Sequence, residues 1–326
     1  MKGITLKGFG GPEVLTLAEV PDPKPGPDQV LVRVRASALN RADTMQRLGQ
    51  YPPPPGESEL LGLELAGDVE GWGSGVSGFK KGQRVFGLVG GGGYAQYAVI
   101  DKEMAMTIPD GWSYEQAAAV PEVFFTANET IFVLGELKPG ESILIHAGGS
   151  GVGTAGIQMA HHIGAKVYFT AGSADKIAKA MALGAEAGIN YKTHDFAEEI
   201  KRLTKGAGVD VVEDFLAASY FQRNLDVLRI GGRLILVALM GGNKTDVNLA
   251  QVMTKRLQIK GSVMRSRPLQ DKREITRRFR ERWLPELAAG HIKPIVDSVY
   301  PLAEAATAHV AMDANRNFGK LILKVD

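Results

Sequence analysis

The chain has 326 residues, too many for one ordinary core and enough for two domains. Its 44% hydrophobic and 23% charged residues are ordinary for a globular protein, and a net charge of +2 supplies no field that calls for nucleic acid or an acidic membrane surface. Cysteine is absent, which excludes disulfides, thiolate nucleophiles and thiolate metal sites. There is no charged-then-apolar leader and no apolar run of membrane-spanning length, so a cytoplasmic location is expected.

From residue 1 to about residue 122 the pattern is short apolar stretches between Pro and Gly turns. Residues 30–34 alternate within QVLVRVRASAL, and further strands are expected at 65–69, 84–88 and 94–99. The run YPPPP at 51–55 cannot join a sheet interior, because proline lacks the ladder donor. A mainly β domain is expected here.

The rhythm changes near Pro121. Strands expected at 143–146, 166–170, 187–191, 209–214 and 233–238 alternate with helices at 152–163, 175–183, 196–204 and 220–228. That alternation predicts βαβ units and a doubly wound parallel sheet, an α/β fold. After about Met264 one long helix and a terminal strand at 320–324 are expected. In DKREITRRFRERW (271–283) Ile275, Phe279 and Trp283 recur every four residues, with Leu287 next. The arginines therefore cover the outer face of a packed helix rather than a nucleic-acid surface. The expected domains are 1–122, 123–264, and 265–326 returning to the first, which makes that domain discontinuous.

The chemistry begins at AGGSGVG (147–153), between a strand and a helix. Gly148, Ser150 and Gly153 take the three positions of a G-x-G-x-x-G turn, with Gly151 beside them. A glycine cluster alone is weak evidence. Here it follows a strand, opens a helix and lies in a βαβ series, the context that cradles a dinucleotide pyrophosphate on a helix N-terminus. NAD sites usually place an acid about 20 residues on, at the end of the next strand. This chain has Ala171, Gly172 and Ser173 there, followed by Lys176. A serine donor and a lysine charge suit a 2′-phosphate, so NADPH is expected over NADH.

The pairing of Asn40-Arg41-Ala42-Asp43 with Gly62-Leu63-Glu64, then HAGGSGVGTAGIQ (146–158), TAGSADK (170–176) and INYK (189–192), resembles the medium-chain dehydrogenase/reductases. More narrowly the chain resembles NADPH:quinone oxidoreductases of the zeta-crystallin type. NRADTMQRLGQYPPPPG, LMGG (239–242) and RSR (265–267) are similar to the branch of the tumour-suppressor-inducible quinone oxidoreductase of animals. The resemblance implies a GroES-like catalytic domain, a Rossmann domain, an active site in the cleft between them and a homodimer formed through the cofactor domains. It puts Asn40, Asp43 and Tyr51 on the substrate side as catalytic candidates and Thr126 near the nicotinamide. Gly148, Ser150, Gly151, Val152, Gly153, Leu239 and Met240 fall to the cofactor. Ser173, Lys176 and Tyr191 fall to its adenosine phosphate end, assisted by Arg316 or its neighbour Asn315. The chain departs from many relatives at Asp214-Phe215-Leu216-Ala217-Ala218, where they read D-x-x-G-G. Bulk at Leu216 and Ala217 is expected to narrow the nicotinamide end. Asn128 also stands where relatives often carry an apolar or aromatic residue.

Zinc alcohol dehydrogenases of the same superfamily read cysteine at Asn40 and histidine at Leu63, and a catalytic zinc needs three protein ligands. His161 and His162, adjacent on a helix, point about 100° apart. His194, His291 and His309 stand alone and are expected at the surface. No metal is expected. The expected reaction is hydride transfer from NADPH to a small quinone or similar conjugated carbonyl, an acceptor that asks little beyond positioning and exclusion of water. Asn40 and Tyr51 are the expected donors to its oxygens, Tyr51 with a hydrogen bond or a proton; Asp43 fixes a loop or orients Asn40, and no strong general acid is visible. The alternatives are an alkenal or enoyl-thioester reductase, with Arg265 and Arg267 facing a thioester arm, and a non-catalytic NADPH-binding redox sensor.

Overall fold

In the computed structural model, which describes residues 1–326, both ends of the chain build one sheet and its middle builds another. After a hairpin of β1 (Lys2–Leu6) and β2 (Leu15–Glu19), strand β3 (Gln29–Ala38) pairs antiparallel with β4 (Glu64–Trp72). β4 pairs with β5 (Arg84–Leu88), β3 also with β6 (Tyr97–Asp101), and β5 with β7 (Met106–Thr107). Val30, Val32, Val34 and Ala36 are buried on one face of β3, the period of two that its alternation predicts. Helix α1 (Arg41–Arg47) lies between β3 and β4; after β7 come α2 (Tyr114–Ala118) and α3 (Pro121–Ala127), which runs on into a π-helix at Asn128–Leu134. That wide turn is marked by the bond from Gly135 N–H to Thr130 O, five residues back (2.9 Å).

The middle of the chain alternates as its periodicity predicts: β8 (Ser142–Ile145), α4 (Gly151–His162), β9 (Lys166–Ala171), α5 (Ala174–Met181), β10 (Ala187–Asn190), α6 (Phe196–Leu203), β11 (Val209–Asp214), α7 (Phe221–Val227), β12 (Leu228–Leu236), α8 (Leu249–Thr254) and β13 (Gln258–Gly261). All pairings are parallel, in the order β10-β9-β8-β11-β12-β13. Numbered from β8 this is 3-2-1-4-5-6, the doubly wound order, whose direction reverses between β8 and β11. Leu144, Val212 and Leu234 form the middle of its core under Phe196, Ile200 and Leu225.

The last sixty residues depart from the expected helix and strand. They form α9 (Leu269–Arg282), α10 (Leu284–Ala288), β14 (Val296–Pro301), α11 (Ala305–Asp313) and β15 (Lys320–Lys324). Pro285 restarts the helix beyond Trp283, and Gly290, at φ +78°, ends it. β14 was hidden because its residues are only half-buried and alternate weakly. Ile275, Phe279, Trp283 and Leu287 are buried as their spacing predicts, with Phe279 against Phe125. β15 pairs antiparallel with β3 and parallel with β14, giving the order β14-β15-β3-β4-β5-β7. One compact unit comprises Met1–Phe125, Arg265–Gly290 and Pro294–Asp326; the other comprises Thr126–Met264 and His291–Lys293. The short piece joins the second unit because Gln158 on α4 bonds both Lys293 O (2.9 Å) and Lys293 N–H (3.0 Å).

Candidate active site and dinucleotide site

In the second unit the turn after β8 needs its glycines. A Cβ on Gly153 would lie 2.4 Å from Ala147 O, and one on Gly148 would lie 2.5 Å from the Phe169 ring. Backbone and ring cannot yield that much space, so any side chain there breaks the packing of α4 on the sheet. Ser150 replaces the middle glycine for a local reason: its Oγ accepts the Gly153 N–H (3.0 Å) and caps α4. Gly151 and Val152 begin the helix with N–H groups that have no intrahelical acceptor, the donors an anion takes up.

At the neighbouring strand end Ser173 caps α5, accepting the Lys176 N–H (3.3 Å). The Lys176 side chain lies across the glycine turn, 3.0 Å from where a Cβ on Gly149 would stand. The Tyr191 hydroxyl lies 2.6 Å from where one on Gly172 would stand. A lysine and a tyrosine therefore flank a strand end with no acid. Leu239 and Met240 are exposed in the loop after β12, which is tied to the loop after β11 by Met240 N–H to Phe215 O (3.1 Å) and Gly241 N–H to Leu216 O (2.8 Å). Thr126 is half-buried and its carbonyl accepts the Thr130 hydroxyl (2.7 Å).

The loop carrying Leu216 is built on Asp214, which accepts N–H bonds from Leu216 (2.7 Å) and Ala217 (3.1 Å). Ala217 adopts φ +54°, so an alanine bears the left-handed backbone that glycine supplies in a D-x-x-G-G turn. A buried polar chain that sequence reading missed joins the ends of β8, β9 and β11. Asn224 donates to Asp214 (3.0 Å), so its oxygen accepts from His146 Nε2 (2.8 Å), and His146 Nδ1 accepts the Thr170 hydroxyl (3.1 Å). Burial pulls the His146 imidazole down to about 4, consistent with this neutral tautomer.

In the first unit the residues singled out around Asn40 meet a partner from the far end of the chain. Lys320 Nζ donates to Leu39 O (2.7 Å), Asn40 Oδ1 (2.6 Å) and Glu64 Oε1 (2.8 Å). Glu64 is 0% and Lys320 3% exposed. Asn40 Nδ2 also donates to Glu64 Oε1 (2.8 Å). The expectation that Asn40 donates to an acceptor is thereby corrected, since its amide is held inward at both ends. No group of three or more His, Asp or Glu side chains is placed to hold a metal ion, and around Asn40 and Glu64 the acceptors converge on an ammonium.

Asp43 is turned inward as well. It is fully buried, and its carboxylate accepts from Asn40 N–H (2.7 Å), Gly62 N–H (3.2 Å) and the Tyr94 hydroxyl (3.2 Å). It positions the loop between β3 and α1. Burial raises its carboxyl to about 6. His309, expected at the surface, is also buried, between Arg47 (3.1 Å) and Tyr94 (3.4 Å). It stands on the inward face of α11 with Ala305, Ala308 and Met312, where burial pulls it down to about 3. The other two histidines expected at the surface, His194 and His291, are exposed, and the His291 ring stacks on His162 with centroids 5.7 Å apart.

Tyr51 keeps its phenol free while its backbone is fastened. Arg265 donates to Tyr51 O (3.1 Å) and twice to Gly90 O (3.0 and 2.8 Å), with its guanidinium 5.5 Å from the Tyr51 ring centroid. Arg265 is thus a buried clamp on the YPPPP loop, not a charge presented to a thioester arm. Asn315 accepts a bond from Arg41 (2.6 Å), whereas Arg316 beside it is exposed. Glu122, which the sequence did not single out, opens α3 with its N–H donated to Glu64 Oε2 (2.8 Å).

A doubly wound dinucleotide sheet carried in one chain with a β unit of this kind defines a dehydrogenase or reductase. Residues 26–110 match the alcohol dehydrogenase GroES-like domain and residues 151–281 the zinc-binding dehydrogenase family. The chain is 35% identical to a quinone oxidoreductase of Rattus norvegicus, over 99% of this chain and 97% of that one. Among solved structures it is similar to the Escherichia coli quinone oxidoreductase complexed with NADPH (TM-score 0.89, 33% identity, 99% and 100% covered). It is as similar to an NAD-dependent alcohol dehydrogenase (0.88, 34%, 100% of each) and resembles the CurK enoyl reductase (0.88, 28%, 100% and 99%). The chain belongs to the medium-chain dehydrogenase/reductase family and is an oxidoreductase.

Proposed function

We propose that the protein is an NADPH-dependent quinone oxidoreductase that passes a hydride to small quinones or similarly conjugated carbonyls. The observation that carries the cofactor reading is Lys176 lying across the glycine turn beside an acid-free strand end, with Tyr191 over Gly172. The turn at Gly148, Ser150, Gly151, Val152 and Gly153 would hold the pyrophosphate. Ser173, Lys176, Tyr191 and Arg316 would serve the 2′-phosphate end, and Thr126, Leu239 and Met240 the nicotinamide end. The bound dinucleotide supplies the hydride. The quinone reading rests on the full-length likeness to quinone oxidoreductases. An enoyl reductase is the second reading, supported by a fold likeness at lower identity. The argument from Arg265 is weakened, because this residue is buried and spends three of its N–H groups on Gly90 and Tyr51. A cytoplasmic location belongs to the same proposal and rests on the cysteine-free composition; no helix is long and apolar enough to cross a membrane.

NADPH should bind at least about tenfold more tightly than NADH, roughly 1.4 kcal/mol. Lys176→Ala should remove most of that preference by weakening NADPH alone; equal loss for both cofactors would make Lys176 structural. Oxidation of NADPH should proceed with ortho- and para-quinones in a panel that also holds alkenals and enoyl thioesters. Turnover with thioesters alone replaces the quinone reading, and none with any acceptor leaves a redox sensor.

A homodimer through the second unit completes the proposal. β13 ends its sheet, and Leu249, Met253, Ile259 and Val263 leave apolar surface around it. Light scattering should give twice the chain mass, and a monomer mass sinks the idea.

A further inference from the structure

We propose that Glu122 is the proton donor of the reduction, giving the hydrogen of its carboxyl group to the oxygen of the acceptor once a hydride has been added. The inference rests on the reductase reading above and adds to it a residue that the sequence did not suggest.

The fold leaves this carboxyl without a partner. Its backbone N–H is fixed to Glu64 Oε2 (2.8 Å), which sets the start of α3 against β4, while no hydrogen bond or ion pair engages the Glu122 side chain. Five charged or titratable groups face it electrostatically from the surrounding elements: Glu64 on β4, Asp43 on α1, Lys320 on β15, and Arg265 and Tyr51. Both cations are committed elsewhere. The three protons of Lys320 go to Leu39, Asn40 and Glu64, and Arg265 donates to Gly90 and Tyr51. A half-buried carboxyl that has two other carboxyl groups for neighbours and no donor of its own holds a proton. The helix N-terminus favours the anion, but the Glu122 N–H that would serve it is already given to Glu64. In keeping with this arrangement, burial first and Glu64 second push the carboxyl up to about 8.

The neighbouring acids serve less well. Asp43 is sealed, and its oxygens receive three donors. Glu64 is sealed and paired with Lys320. The Tyr51 phenol is free, but burial moves it further above its ordinary range, making it a weaker acid. A general acid works best when its pKa lies near the operating pH. Glu122 alone joins such a value to an accessible, unengaged carboxyl. In the step itself the acceptor, having taken a hydride, carries its added electron pair as an anionic oxygen. The carboxyl O–H bond of Glu122 breaks and a new O–H bond forms on the acceptor. Water then reprotonates the carboxylate, so that hydride plus proton amount to two electrons and two hydrogens.

Two measurements test this on the full chain. The infrared difference between wild type and Glu122→Gln, without cofactor, should contain a protonated-carboxyl carbonyl band that titrates with a midpoint near 8. Its absence overturns the inference whatever the enzyme reduces. With NADPH and a quinone that wild type turns over, Glu122→Gln should lower kcat about 100-fold, leave the NADPH Kd unchanged and abolish the fall of kcat above pH 8. Glu122→Ala should show the same loss, partly restored by added acetic acid, which guards against a glutamine variant that misfolds. Tyr51→Phe should lose much less. A full rate in Glu122→Gln, or a 100-fold loss in Tyr51→Phe alone, removes Glu122 from the role while leaving the reductase reading intact. Wild type that reduces no quinone or conjugated carbonyl overturns that reading instead.

Discussion

Replacing Lys320 with methionine should cost about 3–5 kcal/mol of folding stability, read as a lower urea midpoint at unchanged m-value. The size follows from what the ammonium leaves behind. Glu64 is wholly buried, and its Oε1 accepts from Lys320 and Asn40 while Oε2 accepts the Glu122 N–H. Without Lys320 a carboxylate remains in a medium that solvates it poorly, and the carbonyl of Leu39 and the oxygen of Asn40 each lose a donor. Glu64→Gln should also be costly, because it strands the ammonium. The double variant Lys320→Met with Glu64→Gln should recover much of the loss, since neither charge then remains to be buried unpaired. A Lys320→Met protein as stable as wild type to within about 0.5 kcal/mol would show that the pair contributes nothing and that Glu64 finds water instead.

Glu213 should make stability fall as pH rises, opposite to the usual behaviour of a carboxylate. Thr130 has one hydroxyl proton to share between Thr126 O (2.7 Å) and Glu213 Oε1, so the carboxyl receives at most one donor. Oε2 has no partner, and burial pushes the group up to about 8. The folded state therefore keeps a proton that the unfolded chain releases above its ordinary value of 4.5. This contribution is fully present below 4.5 and is lost as pH climbs through about 8, by about 1.4 kcal/mol per pH unit. Glu213→Gln keeps a donor for Thr130 and removes the titration. Between pH 5 and 8 wild type should lose about 4 kcal/mol relative to the variant. Asp43, Glu122 and Asp214, also raised, are common to both proteins and cancel in the difference. Urea curves that stay parallel across that range would show Glu213 ionised or hydrated.

What the sequence disclosed was local and what it concealed was long-range. The glycine turn could be read because strand, turn and helix follow one another within a few residues, and the missing acid lies one strand later. α6 was expected at 196–204 and occupies Phe196–Leu203, since its apolar face and its Asp195 cap are both nearby in the chain. Lys320 gave no sign of its role: within KLILK it reads as the polar start of a strand, and its acceptors lie more than 250 residues away. His309 looks solitary in sequence and is buried by residues of α1 and by Tyr94. Glu122 is visible only as the residue after Pro121. Its unusual carboxyl is made by β4, α1 and β15, so no window of sequence around it contains the cause. The π-helix was likewise unannounced, because one extra residue in a helical turn leaves the hydrophobic period nearly unchanged.

The pairing of β15 with β3 imposes an order on synthesis. The six strands of the parallel sheet lie between Ser142 and Gly261, and nearly all of that unit is made while β14 and β15, two of the seven strands of the other sheet, are still missing. Domains fold as units when their residues become available, and contacts of long sequence separation form late. Through that interval only the end of β3, Ala36–Ala38, has an open edge, since β6 already covers Gln29–Arg33, and Glu64 has no counter-ion for its place in the core. A nascent chain halted before Lys320 therefore holds a finished parallel sheet while the end of β3 and the Glu64 carboxylate still wait for their partners, a form more open to proteases and chaperones than the complete chain.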